Sequence, residues 1–400
     1  MIPVAEARER IAAALAPVAA ETVPLAAALG RVLAVPVVAR RTQPPVALSA
    51  MDGWALRAAD VSTVPADLAI AGESAAGRGF AGMLPPGQAV RIFTGAPVPD
   101  GADAIVIQEN ATRAGDRVTL NAAPQPGRHI RPAGQDFGEG QTLLEAPRRL
   151  GARDIGLIAA GDLGTVEVHR RPRIALLATG DELAAAGAPR GPAQIVDAAR
   201  PSLAAFIAAR GAEVVDLGIA RDDPADIAEK AAGASGADLL VTIGGASVGD
   251  HDLTARVLAA EGADLDFWKV AMRPGRPLMF GRHGAVPLLG MPGNPVSALV
   301  CAILFLGPAI DRLSGLPALA PPLTEVRLAA PLGANDRRED FIRARLVAGG
   351  DGIALATPAP VQDSAQLRTL AKAHALIRRP PHAEAAAAGE LVPAILLDPY

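Results

Sequence analysis

"VTIGGASVGDHDLT" (residues 241–254) begins as an apolar run, turns through Gly244 and Gly245, and then sets down Asp250, His251 and Asp252. An apolar strand ending in a Gly-rich turn reads as the start of a βα unit, and such turns often cradle a phosphate on backbone N–H groups. A P-loop needs Gly-Lys-Ser/Thr after its second glycine, whereas Gly249 is followed by Asp250. The G-x-G-x-x-G of a dinucleotide site is absent as well. Two like charges about 4 Å apart repel by on the order of 4 kcal/mol near a protein surface. Carboxylates beside a phosphate therefore imply a cation between them, or no phosphate at all.

Outward from this stretch the pattern alternates. "RIALLAT", "AEVVDLGI", "DLLVTIGG" and "VPLLGMPG" are strand candidates, while "PSLAAFIAARG", "DPADIAEKAAG" and "DLTARVLAAEG" are helix candidates. Gly211, Gly233 and Gly262 stand where C-terminal caps belong, and Asp223-Pro224 forms an N-cap followed by a first-turn proline. Such alternation predicts an α/β fold with a mostly parallel sheet and helices on both faces, a three-layer α/β/α domain over 171–315. Upstream, "PVAEARERIAAALAP" reads as an amphipathic helix, residues 32–144 as short apolar runs cut by Gly and Pro, and "LGARDIGLIAAGDL" as helix again. We therefore assign 1–170 to an N-terminal region that carries a β-rich module at about 45–145. Past the Pro-rich "GLPALAPPL", the segments "LTEVRLAAPL", "REDFIRARLV", "GIALATPAP" and "HALIRRP" predict a small C-terminal β-barrel or sheet over 316–400.

Half of the 400 residues are apolar and only 3% aromatic, which predicts a core of small aliphatic side chains. A net charge of −4 gives no electrostatic case for nucleic acid or an anionic membrane. The single cysteine, Cys301 in "ALVCAILFL", reads as a core residue and fits a reducing compartment. Glu6, Arg8, Glu9 and Arg10 interrupt any signal-peptide core. The longest apolar run, 296–306, is too short to span a bilayer. A cytoplasmic protein without membrane contact is expected.

Ligands of open α/β sheets bind beyond the C-terminal strand ends. There the sequence places Gly180, Asp181 and Glu182; Asp222 and Asp223; Gly244, Gly245, Ser247, Gly249 and Asp252; and Met291, Pro292, Gly293, Asn294 and Pro295. Such an edge can hold an anion on backbone N–H groups and a divalent cation on carboxylates, so Mg²⁺ bridging to a phosphate answers the puzzle of the first loop. Asp223 reads better as a helix cap, Asp181 as a turn residue and His251 as surface. Asp252 is either a cap or a ligand. Glu182 has no evident capping duty. "FWKVAMRPGRPLMFG" adds Lys269, Arg273 and Arg276, cations suited to an oxyanion or, equally, a solvated surface cluster.

The stretches "SAMDGWAL", "RIFTGAPVPDGADAIVIQE", "RPAGQDFGEGQTLL", "ATGDEL", "LGIARDDP", "GGASVGDHD", "RPGRP" and "MPGNPVSA" follow one another in this order, with weaker matches in "REDFIRARL" and "VQDSAQL". Together they make the chain resemble the molybdopterin molybdenumtransferase family, that of the MoeA-type proteins and the gephyrin E domain. The resemblance implies an elongated four-domain subunit working as a homodimer, with a molybdopterin-binding α/β/α domain. It implies insertion of molybdate into adenylylated molybdopterin with Mg²⁺-dependent release of AMP. Residue by residue, it carries a catalytic role to Asp52, Thr94, Glu182, Asp222, Asp252, Lys269 and Arg273. Glu182, Asp222 and Asp252 would hold Mg²⁺. Gly244, Gly245, Ser247, Gly249, Pro292, Gly293, Asn294, Pro295, Arg343 and Ser364 would bind the pterin substrate. An adenylyltransferase of the preceding step is an implied partner.

Three departures stand out. Arg273 and Arg276 replace the lysines usual in K-P-G-K-P, Ala198 and Ala199 stand where a small polar residue and Asn are usual, and Ser364 lacks its usual Gly and His neighbours. Rival readings are the adenylyltransferase itself, against which the terminal modules and the "SVGD" loop speak, and a non-catalytic pterin carrier or scaffold, which needs no row of acids.

Overall fold

The computed structural model describes residues 1–244, 257, 260 and 263–397. The chain divides into two compact units, one of Met1–Glu21, Gly30–Ala34 and Val168–Tyr400, the other of Thr22–Leu29 and Val35–Glu167.

The second unit is built on a six-stranded sheet in the order Ala104–Ile107, Gly53–Leu56, Gln88–Ile92, Ala66–Ser74, Arg117–Leu120, Ala111–Ala114. Neighbours are antiparallel except Ala66–Ser74 with Gln88–Ile92. Gly53–Leu56 is buried along its whole length, and its alternate residues serve two cores. Trp54 and Leu56 join Leu68, Val118 and Leu120 on one face; Ala55 joins Ile92 and Ile105 on the other. A helix at Ala152–Ala160 follows.

In the first unit the sheet order is Glu213–Ala220, Arg173–Thr179, Leu239–Ile243, Val286–Met291, Met279–His283, Ala263–Trp268. The first four strands run parallel and only Met279–His283 runs against them, antiparallel to both of its neighbours, so the expected mostly parallel α/β/α sheet is present. Ile174, Leu176 and Ala178 pack with Leu203, Phe206 and Ile207 of the helix Ala199–Ala209 and with the apolar helix that follows Asn294. Ala175 and Leu177 face the opposite layer, against Ile227 and Ala231 of the helix Pro224–Ala232 and against Val257. Most of "DLTARVLAAEG" lies outside the described residues.

The amphipathic helix at Val4–Ala14 packs in this unit, because Val4, Ala7 and Ile11 form a stripe at helical spacing that is buried against the first of these faces. Pro295–Leu313 is one continuous helical element of 19 residues, longer than its central apolar run suggests. By length and composition it could cross a membrane, yet 78% of its apolar window is buried inside the protein. Most of its side chains belong to the apolar core of this unit. Its middle, Ala302–Leu306, widens into a π-turn. Pro308 has no N–H to return to Leu304, so the regular ladder cannot continue through it.

The C-terminal strands Thr324–Leu328, Glu339–Val347, Leu355–Pro358, Ala375–Arg379 and Leu391–Leu396 close a five-stranded barrel through the pairing of Glu339–Val347 with both Leu355–Pro358 and Ala375–Arg379. Its interior holds Val326, Leu328, Ala344, Ala356, Ile377 and Ala394. The last strand was not expected, because Pro393 removes an N–H from its ladder. Met272–Arg273 adds a short parallel pairing to Glu339–Asp340.

Candidate functional site

A cavity of about 990 Å³ opens at the C-terminal ends of the parallel strands. Thr179 and Gly180, Asp222, Ile243 and Gly244, and Pro292 to Pro295 reach it from four strand ends, and Gln362 and Ser364 reach it from the barrel. Backbone packing draws these loops together. Gly244 has φ +89°, and a Cβ there would lie 2.7 Å from the Thr179 carbonyl oxygen, so only glycine lets the loops touch. At Gly180 a Cβ would fall 2.3 Å from the Glu182 carboxylate, which folds back over the bare backbone.

Asp181 and Asp222 exchange hydrogen bonds: the Asp181 N–H donates to Asp222 Oδ2 at 3.3 Å, and the Asp222 N–H to Asp181 Oδ1 at 3.2 Å. Asp181 thus holds its turn, as the sequence suggests, and also braces Asp222. Asp223 caps the helix Pro224–Ala232 by accepting the Asp226 N–H at 3.1 Å. Asp226 accepts the Arg221 N–H and the Lys230 ammonium, which together hold its carboxyl below the usual range. Glu182 and Asp222 therefore remain as the acids of this edge without a capping duty to a helix, and both line the cavity. Asp197, which sequence reasoning missed, lines it too but is buried and tied to Arg200 at 2.9 Å. Among the described residues no three His, Cys, Asp or Glu side chains gather closely enough to hold a metal. Gly245, Ser247, Gly249 and Asp252 lie outside the described residues.

Cations come from the 269–278 turn. Lys269 adopts φ +73°, its N–H donates to the Leu278 carbonyl at 2.9 Å, and its Nζ stands 4.3 Å from the Trp268 ring centroid. Lys269 and Arg276 both line the cavity, and among the described residues neither makes an ion pair. Arg273, expected to serve beside them, lines the cavity as well, with its guanidinium paired to Asp340. Its Nε and Nη2 donate to Asp340 at 2.8 and 2.5 Å, a fork that raises the guanidinium pKa above its ordinary value.

Pro292, Gly293, Asn294 and Pro295 are all at the wall. Asn294 occupies the N-cap of the Pro295–Cys301 segment but makes no side-chain cap; its Nδ2 donates to Ser364 Oγ at 2.9 Å instead. Ser364 keeps a place in the site despite its altered neighbours. Arg343, expected to bind the pterin substrate, is fully buried. Its Nη2 donates to the Asp363 carbonyl at 3.1 Å, and desolvation pushes its pKa down. Gln362, also missed in the sequence, clamps the same loop: its Oε1 accepts the Arg343 N–H at 2.9 Å and its Nε2 donates to the Arg343 carbonyl at 3.0 Å. No charge or spacing singled it out.

In the other unit, Asp52 and Thr94 meet although 42 residues apart. Asp52 Oδ1 accepts both the N–H and the Oγ1–H of Thr94 at 2.8 Å. The two bonds, the backbone one first, hold the Asp52 carboxyl below its ordinary pKa. Arg91 lies over Trp54 and Phe93, at 5.4 and 4.8 Å from the ring centroids, and donates to the Gly53 carbonyl and Gln108.

Comparison with known proteins bears on the whole chain. Residues 2–161 match the MoeA N-terminal region (domain I and II), residues 175–312 a probable molybdopterin binding domain, and residues 325–397 the MoeA C-terminal region (domain IV). The chain is 39% identical to a molybdopterin molybdenumtransferase of Nostoc sp. over 80% of its length and 76% of the relative's. It is 38% identical to molybdopterin molybdenumtransferase 2 of Mycobacterium tuberculosis over 92% of its own length and 93% of the relative's. The crystal structure of a molybdopterin biosynthesis MoeA protein from Pyrococcus horikoshii superposes with a TM-score of 0.85 at 28% identity, covering both chains in full. With all three regions matched in order and relatives this similar along most of the chain, the protein belongs to the MoeA family of molybdopterin molybdenumtransferases.

Proposed function

We propose that this protein inserts molybdate into adenylylated molybdopterin and releases AMP. The observation that carries the reading is one cavity at the sheet edge lined both by acids, Glu182 and Asp222, and by the cations Lys269 and Arg276. A pterin carrier needs neither set, and a nucleotide site without a metal has no use for the acids.

The donor chemistry fits Mg²⁺, which binds through one or two carboxylates together with substrate phosphates and retained waters. Glu182 and Asp222 would hold it, joined by Asp252 as the resemblance implies. When bound, the ion supplies charge neutralisation at the pyrophosphate and polarises its cleavage. Lys269 and Arg276 bind the incoming oxyanion and offset negative charge as it develops. Ser364 and Asn294 fix the barrel loop and the Pro-Gly-Asn-Pro loop against each other at the cavity wall, so that both approach the substrate in one orientation. At Gly244 itself the close backbone packing leaves no side chain to obstruct a ligand.

A homodimer, a cytoplasmic location and delivery of substrate by an adenylyltransferase of the preceding step are part of the same proposal. The family resemblance supports all three, and the lone buried cysteine suits a reducing compartment. Incubation with adenylylated molybdopterin, Mg²⁺ and molybdate tests the reading: AMP accumulates only when all three are present. Substrate that stays intact under those conditions refutes it.

A further inference from the structure

We propose that Arg273 is a positioning residue that fastens the 269–278 turn to the C-terminal barrel through Asp340, leaving oxyanion recognition to Lys269 and Arg276. This rests on the function proposed above. The turn is anchored from two sides. Ile2 brackets it by donating to the Lys269 carbonyl at 3.1 Å and accepting the Ala271 N–H at 2.8 Å. On the other side the Glu339 N–H donates to the Ala271 carbonyl at 2.8 Å, and Met272–Arg273 pairs in parallel with Glu339–Asp340.

The Arg273–Asp340 fork completes this second anchor. Both bonds are short and parallel, at 2.8 and 2.5 Å, with Asn335 Oδ1 at 3.4 Å and Asp336 at 3.9 Å on the same guanidinium. The Asp340 side chain is only 13% exposed, whereas that of Arg273 is 49% exposed. Arg273 stands at the cavity wall, but turning its Nε and Nη2 onto a ligand would strip a mostly buried carboxylate of its two side-chain donors, a heavier penalty than the contact returns. Lys269 and Arg276 face no such competition among the described residues. A lysine at this position would carry the charge but could not form the fork.

The test compares R273A, R273K, D340A and the double variant R273A/D340A in the full-length protein. Two quantities are read: the molybdate concentration giving half-maximal AMP release, and the shift in melting temperature that molybdate produces. A turn displaced by about 1 Å weakens recognition by roughly ten- to a hundredfold, so all three single variants should lose molybdate affinity by that amount. The double variant should be no worse than either alanine variant, and R273K should resemble R273A. If D340A leaves or improves molybdate affinity while R273A loses it and R273K restores it, Arg273 is a ligand and the proposal falls. Unchanged affinity in every variant overturns it equally. A wild-type protein that releases no AMP sinks the functional reading instead, and the molybdate-dependent melting shifts of the variants still judge the strut.

Discussion

Glu182 shows how a single residue acquires its role from its neighbour's lack of a side chain. Its carboxylate rests where a Gly180 side chain would be, at the wall of the cavity, with no helix to cap. Removing its charge while keeping its shape should therefore spare folding and damage metal handling. Glu182→Gln is expected to bind molybdopterin while its Mg²⁺ requirement for AMP release rises on the order of 10- to 100-fold; full activity at an unchanged Mg²⁺ requirement refutes the role. Asp52 makes a different residue-scale prediction. A carboxyl whose folded pKa lies below its unfolded value stabilises the fold above the unfolded pKa and loses that contribution as pH falls through the folded one. For Asp52, held low by Thr94, the loss belongs below about pH 4. Asp52→Asn keeps an acceptor for Thr94 but cannot titrate. Its denaturation midpoint should fall less steeply than the parent's between pH 5 and 3, and parallel slopes would count against the Thr94 bonds as the cause.

At the scale of elements, caps and glycines separate structural acids from chemical ones. Asp223→Ala should cost about 1 kcal/mol, the usual worth of an N-cap, and leave turnover intact, as urea titration and an AMP assay would show. Gly244→Ala meets both a positive φ and a carbonyl 2.7 Å away, so a stability loss of roughly 1–3 kcal/mol is expected together with a loss of activity. These elements also show what was legible in advance. Arg173–Thr179 and Pro224–Ala232 announced themselves, the first by a buried apolar run, the second by Asp223-Pro224 and its apolar spacing. Ala263–Trp268 did not, because Asp264 and Trp268 are exposed on an antiparallel edge and break up the apolar signal. The positions of Glu182 and Asp222 at strand ends were readable because topology alone puts the C-terminal ends of parallel strands together. The occupation of Arg273 by Asp340 and the retreat of Arg343 behind Gln362 were not, since both depend on side chains 67 and 19 residues away.

For the molecule as a whole, two compact units and a barrel-closed C-terminal region account for all three matched family regions. The family expectation of a homodimer becomes a measurement of mass: light scattering at micromolar concentration should return twice the mass of one chain, and a monomer would remove the dimer from the proposal.

Cys301, the only cysteine in the chain, is fully buried, with its Sγ 3.7 Å from the carbonyl oxygen of Gly275. Burial pushes its thiol pKa well above the ordinary value, so in the folded protein it is both shielded and protonated. A thiol reagent can then reach it only when the packing over it opens, and Gly275 of the 269–278 turn is part of that packing. Its labelling rate becomes a clock for opening beside the cavity, read from the native protein without engineering a probe. Molybdate held by that turn should slow the clock, whereas molybdate bound anywhere else on the molecule would leave it running at the same pace.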